Sequence, residues 1–273
     1  MITTSDNKMK GKLILLIASV CFYFTNTHAQ EDVNLIYGQD SIPVKFTKAL
    51  GDSAYAAGNF TTAIDIYERL LQEGESAAVY YNLGNAYYKV NDVAHSILNF
   101  ERSLLLDPSN KDAQFNLEMA RSKTVDRVAE DNEIFFVKWY KSFANLLSMQ
   151  TWAIMAITSF VLFVCFLSAY IFSRKRSAKK LFFIVALVLA FISLCANLTA
   201  NGQKNRLTNR KNAIIMTPSV VVRSTPSNNG TELFVIHEGR KVSVSGNSIK
   251  NWIEIELEDG NVGWIEADAL EVI

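Results

Sequence analysis

Two uncharged apolar runs decide the fold: Trp152–Phe172 (WAIMAITSFVLFVCFLSAYIF) and Leu181–Thr199 (LFFIVALVLAFISLCANLT). A helix needs about 20 residues to cross a hydrocarbon core of about 30 Å, and each run is close to that length. The segment 173–180 (SRKRSAKK) separates the runs, and five of its eight residues are Lys or Arg. Basic loops of this kind stay on the cytoplasmic side. The pattern therefore predicts transmembrane helices at 152–172 and 181–199, joined by a basic cytoplasmic loop at 173–180.

This hairpin determines where the rest of the chain lies. Because eight residues are too few to form a domain, the segments before Trp152 and after Thr199 are expected on the same, outer side of the membrane. The alternative is a pair of buried core helices in a soluble protein. That alternative is disfavoured because core helices rarely run this long without a charge. The polar and basic segment 201–212 predicts a linker.

Charge is sorted by position along the chain, although the total formal charge is zero. Residues 30–150 and 213–273 carry net charges of −6 and −5, whereas residues 151–212 carry +9. Positive charge therefore gathers beside the membrane, where anionic headgroups favour it. The acidic flanking segments argue against nucleic-acid binding, which needs Lys and Arg to replace condensed counterions.

Cysteine and histidine are sparse. The three cysteines, Cys21, Cys165 and Cys195, all lie in apolar runs, and the three histidines are scattered along the chain. The flanking segments therefore have no disulfide framework and no CxxC pair. A His/Cys metal cluster is excluded, and a Ser-His-Asp constellation has few possible bases. We predict no metal site, no cofactor, no catalytic residue and no enzymatic activity.

Residues 1–29 are typical of an export signal. Three lysines precede the 12-residue apolar core Leu13–Phe24, which is too short to span a membrane comfortably. Thr27-His28-Ala29 then offers a small-x-small cleavage site. An uncleaved anchor would give the same topology, and a lipoprotein signal at Cys21 is disfavoured because Val20 precedes it.

An internal repeat lies within residues 44–124. The stretch LGDSAYAAGNFTTAIDIYERLL from Leu50 aligns with LGNAYYKVNDVAHSILNFERSL from Leu83 at an offset of 33 residues. The paired glycines, Gly51 and Gly84, let a second helix approach closely. The second copy has Tyr80, Leu83, Gly84, Tyr87, Phe100 and Pro108. These residues resemble the tetratricopeptide repeat, a helix-turn-helix unit of about 34 residues. The resemblance implies an array of two repeats and a capping helix over 44–124.

Arrays of this family bind an extended peptide or a partner helix in a concave groove. By analogy with the family's inward positions, the predicted groove residues are Lys48, Asp52, Tyr55, Tyr81, Asn85, Tyr88, Phe115 and Met119. The alternative is that the tyrosines only pack the array. The family's carboxylate-clamp pattern is mostly missing, since Asp112 and Asn116 stand where Lys and Arg are expected. Capture of a free C-terminal carboxylate is therefore not expected.

The segment 133–149 approaches the membrane with aromatic and aliphatic residues at three- and four-residue spacing. They are Phe136, Trp139, Tyr140, Phe143, Leu146 and Leu147. The spacing predicts an amphipathic helix at the interface, with aromatic rings at headgroup depth. The alternative is a last helix that packs on the repeat array.

Residues 213–273 have the pattern of a small all-β domain. Ile253, Ile255 and Leu257 alternate with glutamates, and Asp259-Gly260 then signals a hairpin. The motifs SVVVRSTPS, HEG and GWI resemble the bacterial SH3 (SH3b) domain, a small barrel. Such domains often bind peptides or cell-wall fragments. Phe234, Trp252 and Trp264 are the candidate ligand surface, although aromatic residues also close small barrels.

The order of signal, short tetratricopeptide array, membrane hairpin and C-terminal SH3-like barrel resembles the BatE-like family of Bacteroides aerotolerance proteins. The fold expected is thus a multi-domain membrane protein. The resemblance implies a bacterial inner (cytoplasmic) membrane location, with both modules periplasmic. The implied partners are other Bat proteins with von Willebrand factor A-type domains and a MoxR-type ATPase. The implied role is in tolerance of oxygen or oxidative stress.

Two functions from different classes fit this sequence. The first is a non-enzymatic adaptor that holds protein partners at the outer face of the inner membrane. The second is an envelope sensor whose SH3b domain binds peptidoglycan or a peptide. An enzyme lacks any constellation of residues that would carry it.

Overall fold

The computed structural model describes residues 46–126 and 135–273. The predicted signal segment 1–29 lies outside the described residues, as do residues 44, 45, 133 and 134 of the predicted array and interfacial helix. The described chain contains a helical repeat region, two long apolar helices and a C-terminal antiparallel sheet. This arrangement confirms the predicted fold class.

The repeat region consists of antiparallel helix pairs followed by one further helix. Its helices are α1 (Lys48–Ala56), α2 (Phe60–Glu73), α3 (Ala77–Lys89), α4 (Val93–Leu106) and α5 (Lys111–Arg121). Polar side chains cap three of them, because Thr47, Asp92 and Asn110 each accept a hydrogen bond from a backbone N–H of the first turn. Helix starts are thus fixed by local sequence.

The Leu-Gly step of each repeat lets two helices approach closely. A Cβ atom on Gly51 would collide with the ring of Tyr67, and one on Gly84 would lie 2.8 Å from the ring of Phe100. Tyr67 and Phe100 are almost completely buried. The two repeats therefore use the same device, in which an aromatic ring of the second helix rests on a glycine of the first.

Two helices are long and apolar enough to cross a membrane by length and composition: α7 (Met149–Phe172) and α8 (Arg176–Thr208). They pack against each other, and Ser193 Oγ donates to the carbonyl of Ala156 at 2.9 Å. Helix α8 continues beyond the predicted span 181–199 to Thr208, so most of the predicted linker 201–212 is helical. The polar composition of this segment reflects an exposed helix rather than an irregular chain.

Helix α6 (Phe135–Ala144) precedes the hairpin and is attached to it. The carbonyl of Ala144 accepts from Trp152 Nε1 at 2.9 Å and from Gln203 Nε2 at 2.7 Å. Phe143 packs against the Trp152 ring with centroids 5.3 Å apart. These contacts fix α6 beside the ends of α7 and α8, while its aromatic residues Phe136 and Trp139 remain exposed.

The C-terminal domain is a seven-stranded antiparallel sheet in the order β3-β2-β6-β5-β4-β1-β7. Its strands are β1 (Asn212–Ile215), β2 (Ser219–Arg223), β3 (Glu232–His237), β4 (Lys241–Ile249), β5 (Trp252–Glu256), β6 (Val262–Glu266) and β7 (Leu270–Val272), with a 3₁₀ turn at Ala267–Ala269. The turn at Asp259-Gly260 joins β5 to β6, as predicted, and Gly260 has φ +83°. One core is enclosed by Ala213, Ile215, Val222, Ile236, Val242, Ile255, Leu257 and Ile265.

Strand β1 belongs to two cores at once. Successive side chains of a strand point to opposite faces, so Ala213 and Ile215 enter the core of the sheet while Ile214 points the other way. Ile214 and Ile273 are buried in a cluster with residues of the repeat helices, namely Ile97, Leu98, Phe100, Leu117 and Ala120. The SH3-like domain is therefore packed on the array, a contact that the sequence did not predict.

Ion pairs and hydrogen bonds surround this shared core. Glu101 pairs with Arg121 of the array and with Lys241 of β4, whose Nζ lies 2.8 Å from Oε2. Arg102 Nη2 donates to Glu271 Oε1 at 3.0 Å.

Two further contacts lie at the ends of the junction. Asp126 Oδ2 accepts from the backbone N–H of His237 at 2.8 Å. Arg210, just after α8, donates to Glu75 Oε1 at 2.8 Å. Array, hairpin and sheet are thus connected by specific contacts as well as by chain continuity.

Candidate functional site

The array encloses a cavity of about 410 Å³. Tyr81, Asn85 and Tyr88 contribute to it from α3, where spacings of four and three residues place them on one helix face. The complete lining is Tyr55, Tyr81, Asn85, Tyr88, Lys89, Phe100, Asn116 and Met119. Helices α1 and α5 supply Tyr55 and Met119. We call this cavity the array groove.

A short hydrogen-bond network crosses the array groove. Asn116 Nδ2 on α5 donates to Asn85 Oδ1 at 2.8 Å and to the hydroxyl of Tyr81 at 3.3 Å. The ammonium of Lys123 lies 3.9 Å from the centroid of the Tyr88 ring, a distance typical of a cation–π contact. The wall of the groove thus combines amide groups, phenol hydroxyls and aromatic faces.

A smaller cavity of about 160 Å³ lies beside the array groove and is lined by Asp52, Tyr55, Tyr67, Asn82 and Asn85. Both Tyr67 and Asn82 donate to Asp52 Oδ1 at 2.7 Å, and Lys48 Nζ lies 2.7 Å from Oδ2. Partial burial alone would raise the pKa of Asp52, but these donors outweigh it and hold that pKa below its usual value. Asp52 is therefore a charged acceptor already used within the array.

Burial also affects the pKa of Tyr55, which lies in the first repeat. Desolvation raises the pKa of Tyr55 above its ordinary value, and neighbouring Tyr81 adds to the effect. The ring of Tyr55 also packs edge-on to Phe60, with centroids 5.2 Å apart. Tyr55 therefore presents a neutral hydroxyl at physiological pH, which can both donate and accept a hydrogen bond.

The structure brings together most of the predicted groove residues. Tyr55, Tyr81, Asn85, Tyr88 and Met119 line the array groove, and Asp52 lines the smaller cavity. Lys48 is paired with Asp52 at the surface. Phe115 is 61% exposed and lines neither cavity. That a partner binds to these residues remains a prediction.

Some lining residues were missed by the sequence reasoning. Asn116 lies in the groove beside Met119, three positions later, whereas Phe115 lies outside it. Helical spacing from Met119 points to Asn116 as the residue of the same face, so that signal was present in the sequence. Lys89, the last residue of α3, and Phe100, a signature residue of the repeat, also line the groove and were not among the predicted residues.

The SH3-like domain has its own cavity, of about 270 Å³. Its lining is mixed in character and includes Thr217, Ser219, Val220, Val221, Arg223, Asn228, Trp252, Glu266, Asp268 and Ala269. Thr217 Oγ1 is buried and has no hydrogen-bond partner within residues 46–126 and 135–273. Buried hydroxyls are normally paired, so this wall offers an unused hydrogen-bonding group.

The three predicted aromatic residues of this domain do not share one environment. Trp252 lines the cavity of the SH3-like domain, which neither Phe234 nor Trp264 lines. Strand alternation places Trp264 on the outer face, because the next residue, Ile265, is in the core. Phe234 packs against that core. A ligand surface formed by all three remains a prediction.

Within the residues that the structure describes, no group of three His, Cys, Asp or Glu side chains is arranged to hold a metal ion. The array groove and the cavity beside Trp252 are suited to recognition by hydrogen bonds and aromatic contacts. The side chains that line these cavities are therefore those of a binding site.

Comparisons with known proteins identify both modules. A family model described as Bacterial SH3 domain matches residues 218–271. A second, described as Tetratricopeptide repeat, matches residues 77–110. No curated protein matches the chain. The chain therefore contains a tetratricopeptide repeat and a bacterial SH3 domain, two kinds of module that typically bind proteins or peptidoglycan and carry no catalysis.

Proposed function

We propose that the chain is a non-enzymatic adaptor, anchored in the bacterial cytoplasmic membrane, that binds protein partners on the periplasmic side through the array groove. The observation that carries this proposal is the array groove itself. Tyr81, Asn85 and Tyr88 share one face of α3, and Asn116 faces them from α5. The groove is open and is lined by side chains from four helices.

The groove chemistry suits an extended peptide segment. A peptide backbone presents one N–H and one C=O per residue, and the amides of Asn85 and Asn116 supply both donors and acceptors. The rings of Tyr81 and Tyr88 provide apolar area with little conformational entropy to lose. Lys89 at the groove rim adds a positive charge, so a partner segment with acidic residues is favoured.

The membrane anchoring is supported by the composition and packing of the hairpin. The apolar helices α7 and α8 form an antiparallel pair whose connection is basic, as expected for a cytoplasmic turn. The SH3-like domain shares a core with the array, which requires both modules to fold in one compartment. A hairpin with an even number of crossings satisfies that requirement.

The specific partners are proposed from the order of the modules. That order resembles BatE-like proteins, so we propose other Bat proteins with von Willebrand factor A-type domains as partners, together with a MoxR-type ATPase system. The role proposed by the same resemblance is in oxygen or oxidative-stress tolerance. The groove and the membrane anchor would then serve to hold such partners at one place.

The adaptor proposal is tested by affinity purification of the full chain from membranes in mild detergent. Removing groove hydrogen bonds or the aromatic wall with Asn85→Ala and Tyr88→Ala should each lower partner recovery about tenfold. Asn247→Ala is the matched control, because the Asn247 side chain donates to Glu254 on the exposed β4–β5 hairpin and does not line the array groove. Recovery that is equal in all three variants would contradict the proposal.

A second function, an envelope sensor, is favoured by the cavity beside Trp252. Its unused Thr217 hydroxyl and its charged side chains, Arg223, Glu266 and Asp268, suit a peptide or a peptidoglycan fragment. The test is retention of the full chain on purified sacculi, compared between wild type and Trp252→Ala. The full chain is needed because an isolated domain would expose Ile214 and Ile273. Absence of retention would remove this function.

A further inference from the structure

A fourth cavity, of about 490 Å³, lies where the array, helix α6, the end of α8 and the SH3-like domain meet. Each of these elements contributes to its wall. The lining is Glu101, Leu104, Leu105, Lys141, Asn145, Arg206, Asn209, Arg210, Lys211, Asn212, Lys241 and Ile273. We call it the junction cavity. It is separate from the array groove and from the cavity beside Trp252, with which it shares no lining residue.

The junction cavity is positively charged, although both modules beside it are acidic overall. Its side chains comprise five cations and one carboxylate, Glu101, which gives a formal charge of +4. An anionic ligand is therefore favoured on charge alone.

The cations of the junction cavity differ in whether a carboxylate lies beside them. Lys241 is paired with Glu101, which it shares with Arg121, and Arg210 is paired with Glu75. Arg206 and Lys211, by contrast, have no carboxylate partner within residues 46–126 and 135–273. Their positive charges are available to a bound anion.

The depth of the cavity places it near lipid headgroups. Arg206 lies seven residues beyond Thr199, the end of the apolar run, which corresponds to about 10 Å along the helix axis. Side chains on a helix lean toward its N-terminus, so Arg206 leans back toward the apolar part of α8. The headgroup layer on each side of a bilayer is about 5–7 Å thick. A guanidinium on this side chain is therefore within reach of lipid phosphates.

Helix α6 independently marks the same depth. Gln203 of α8 donates to the carbonyls of Ala144 and Leu147 at the C-terminal end of α6. The exposed rings of Trp139 and Tyr140 on this helix are of the kind enriched at the membrane–water interface. The cavity thus opens beside a helix whose surface suits the interface.

We propose that the junction cavity binds the phosphate of an anionic phospholipid, with Arg206 and Lys211 as its main contacts. Partly buried Leu104 and Leu105 form an apolar wall next to these cations, which suits the glycerol and upper acyl region of a lipid better than a free ion. The inference rests on the membrane anchoring in the proposed function. A bound lipid would touch array, hairpin and SH3-like domain together.

The experiment uses the full chain in nanodiscs of phosphatidylcholine mixed with phosphatidylglycerol in equal parts. Native mass spectrometry then measures which lipid remains bound after release. Each surface cation near anionic lipid contributes about fivefold in binding, so R206Q combined with K211Q should lower phosphatidylglycerol retention about thirtyfold. The charge-preserving pair R206K and K211R should retain the lipid within about twofold and shows that loss is not due to misfolding.

The control removes the same charge elsewhere beside the membrane. R174Q combined with K175Q acts in the basic loop at the other end of the hairpin and should leave retention unchanged. Equal loss in both double variants would overturn the proposal, because retention would then reflect general surface charge. Unchanged retention in R206Q/K211Q would also overturn it.

A further arm separates the two sources of phosphate. The protein with bound phosphatidylglycerol is placed in detergent to which no further lipid is added. Inorganic phosphate at 50 mM should not displace the bound phosphatidylglycerol, and displacement would overturn the lipid assignment in favour of a soluble anion. Incorporation into nanodiscs without selective retention overturns the lipid site alone. Failure to incorporate overturns the membrane anchoring and this site with it.

Discussion

Helices α3, α4 and α5 carry two apolar surfaces that the chain uses differently. One is sealed by the chain's own SH3-like domain, through Ile214 and Ile273, and is surrounded by ion pairs. The other is the array groove, which stays open and is lined by tyrosines and amides. Aliphatic side chains that cannot hydrogen-bond are covered, whereas amphipathic ones remain accessible. The difference supports the proposal that the open face, unlike the sealed one, binds a separate molecule.

The largest expected effect comes from a substitution in the sealed face. Ile214→Ala should lower the free energy of unfolding by about 3 kcal/mol, because it opens a cavity in a fully buried cluster. Ile249→Ala is the matched control, since Ile249 on β4 is 49% exposed. Thermal unfolding of the full chain in detergent measures both. If the two variants melt at the same temperature, the face is not sealed as described.

A smaller effect on stability is expected at Gly84, on which the ring of Phe100 in the array groove rests. Gly84→Ala should destabilise by about 2 kcal/mol, because the added Cβ would lie 2.8 Å from the buried ring of Phe100. Gly74→Ala is its control, since a Cβ there meets nothing within 4 Å and its φ of 167° is extended. Urea unfolding monitored by circular dichroism compares them. Equal midpoints would show that the groove floor tolerates expansion.

The smallest expected effect concerns pH and the contact that joins α8 to the array. The hydrogen bond from Arg210, with help from Tyr80, lowers the pKa of Glu75 despite partial burial. A carboxyl with a lowered folded-state pKa stabilises above its unfolded pKa, and that stability is lost as pH falls through the folded value. Because the pair is partly exposed, the contribution is less than about 1 kcal/mol.

Wild type should therefore lose slightly more stability than Glu75→Gln when the pH is lowered from 6 to 3. The readout is the midpoint of urea unfolding at each pH. Glu73→Gln serves as control, because Glu73 is exposed and has no ion-pair partner in the described part of the chain. Parallel pH profiles for wild type and Glu75→Gln would show that the Arg210 contact adds nothing to stability.

Much of the local structure was predictable from sequence. The repeat offset identified the paired glycines, and the aromatic residues that cover them follow at a fixed distance along the chain. Alternation of isoleucine and glutamate predicted β5 and its hairpin with β6. These features depend on residues that are close in sequence, so the sequence alone is enough to predict them.

The association of the modules was not predictable in this way. Alternation shows that Ile214 points away from Ile215, but not which surface covers it. The covering residues, such as Ile97 and Leu117, lie about 100 positions away and have the spacing of any helix core. Helix α8 likewise extends to Thr208, and its Gln203 bonds the carbonyl of Ala144 at the end of α6, a contact that composition does not reveal.

Phe100 belongs to both surfaces of the array. Its ring lines the array groove, and it also lies in the cluster that contains Ile214 and Ile273. The side chain of Phe100 is therefore the one group that separates the array groove from Ile214 and Ile273 at this point. A groove occupant that displaced this ring would also disturb the packing of the SH3-like domain on the array.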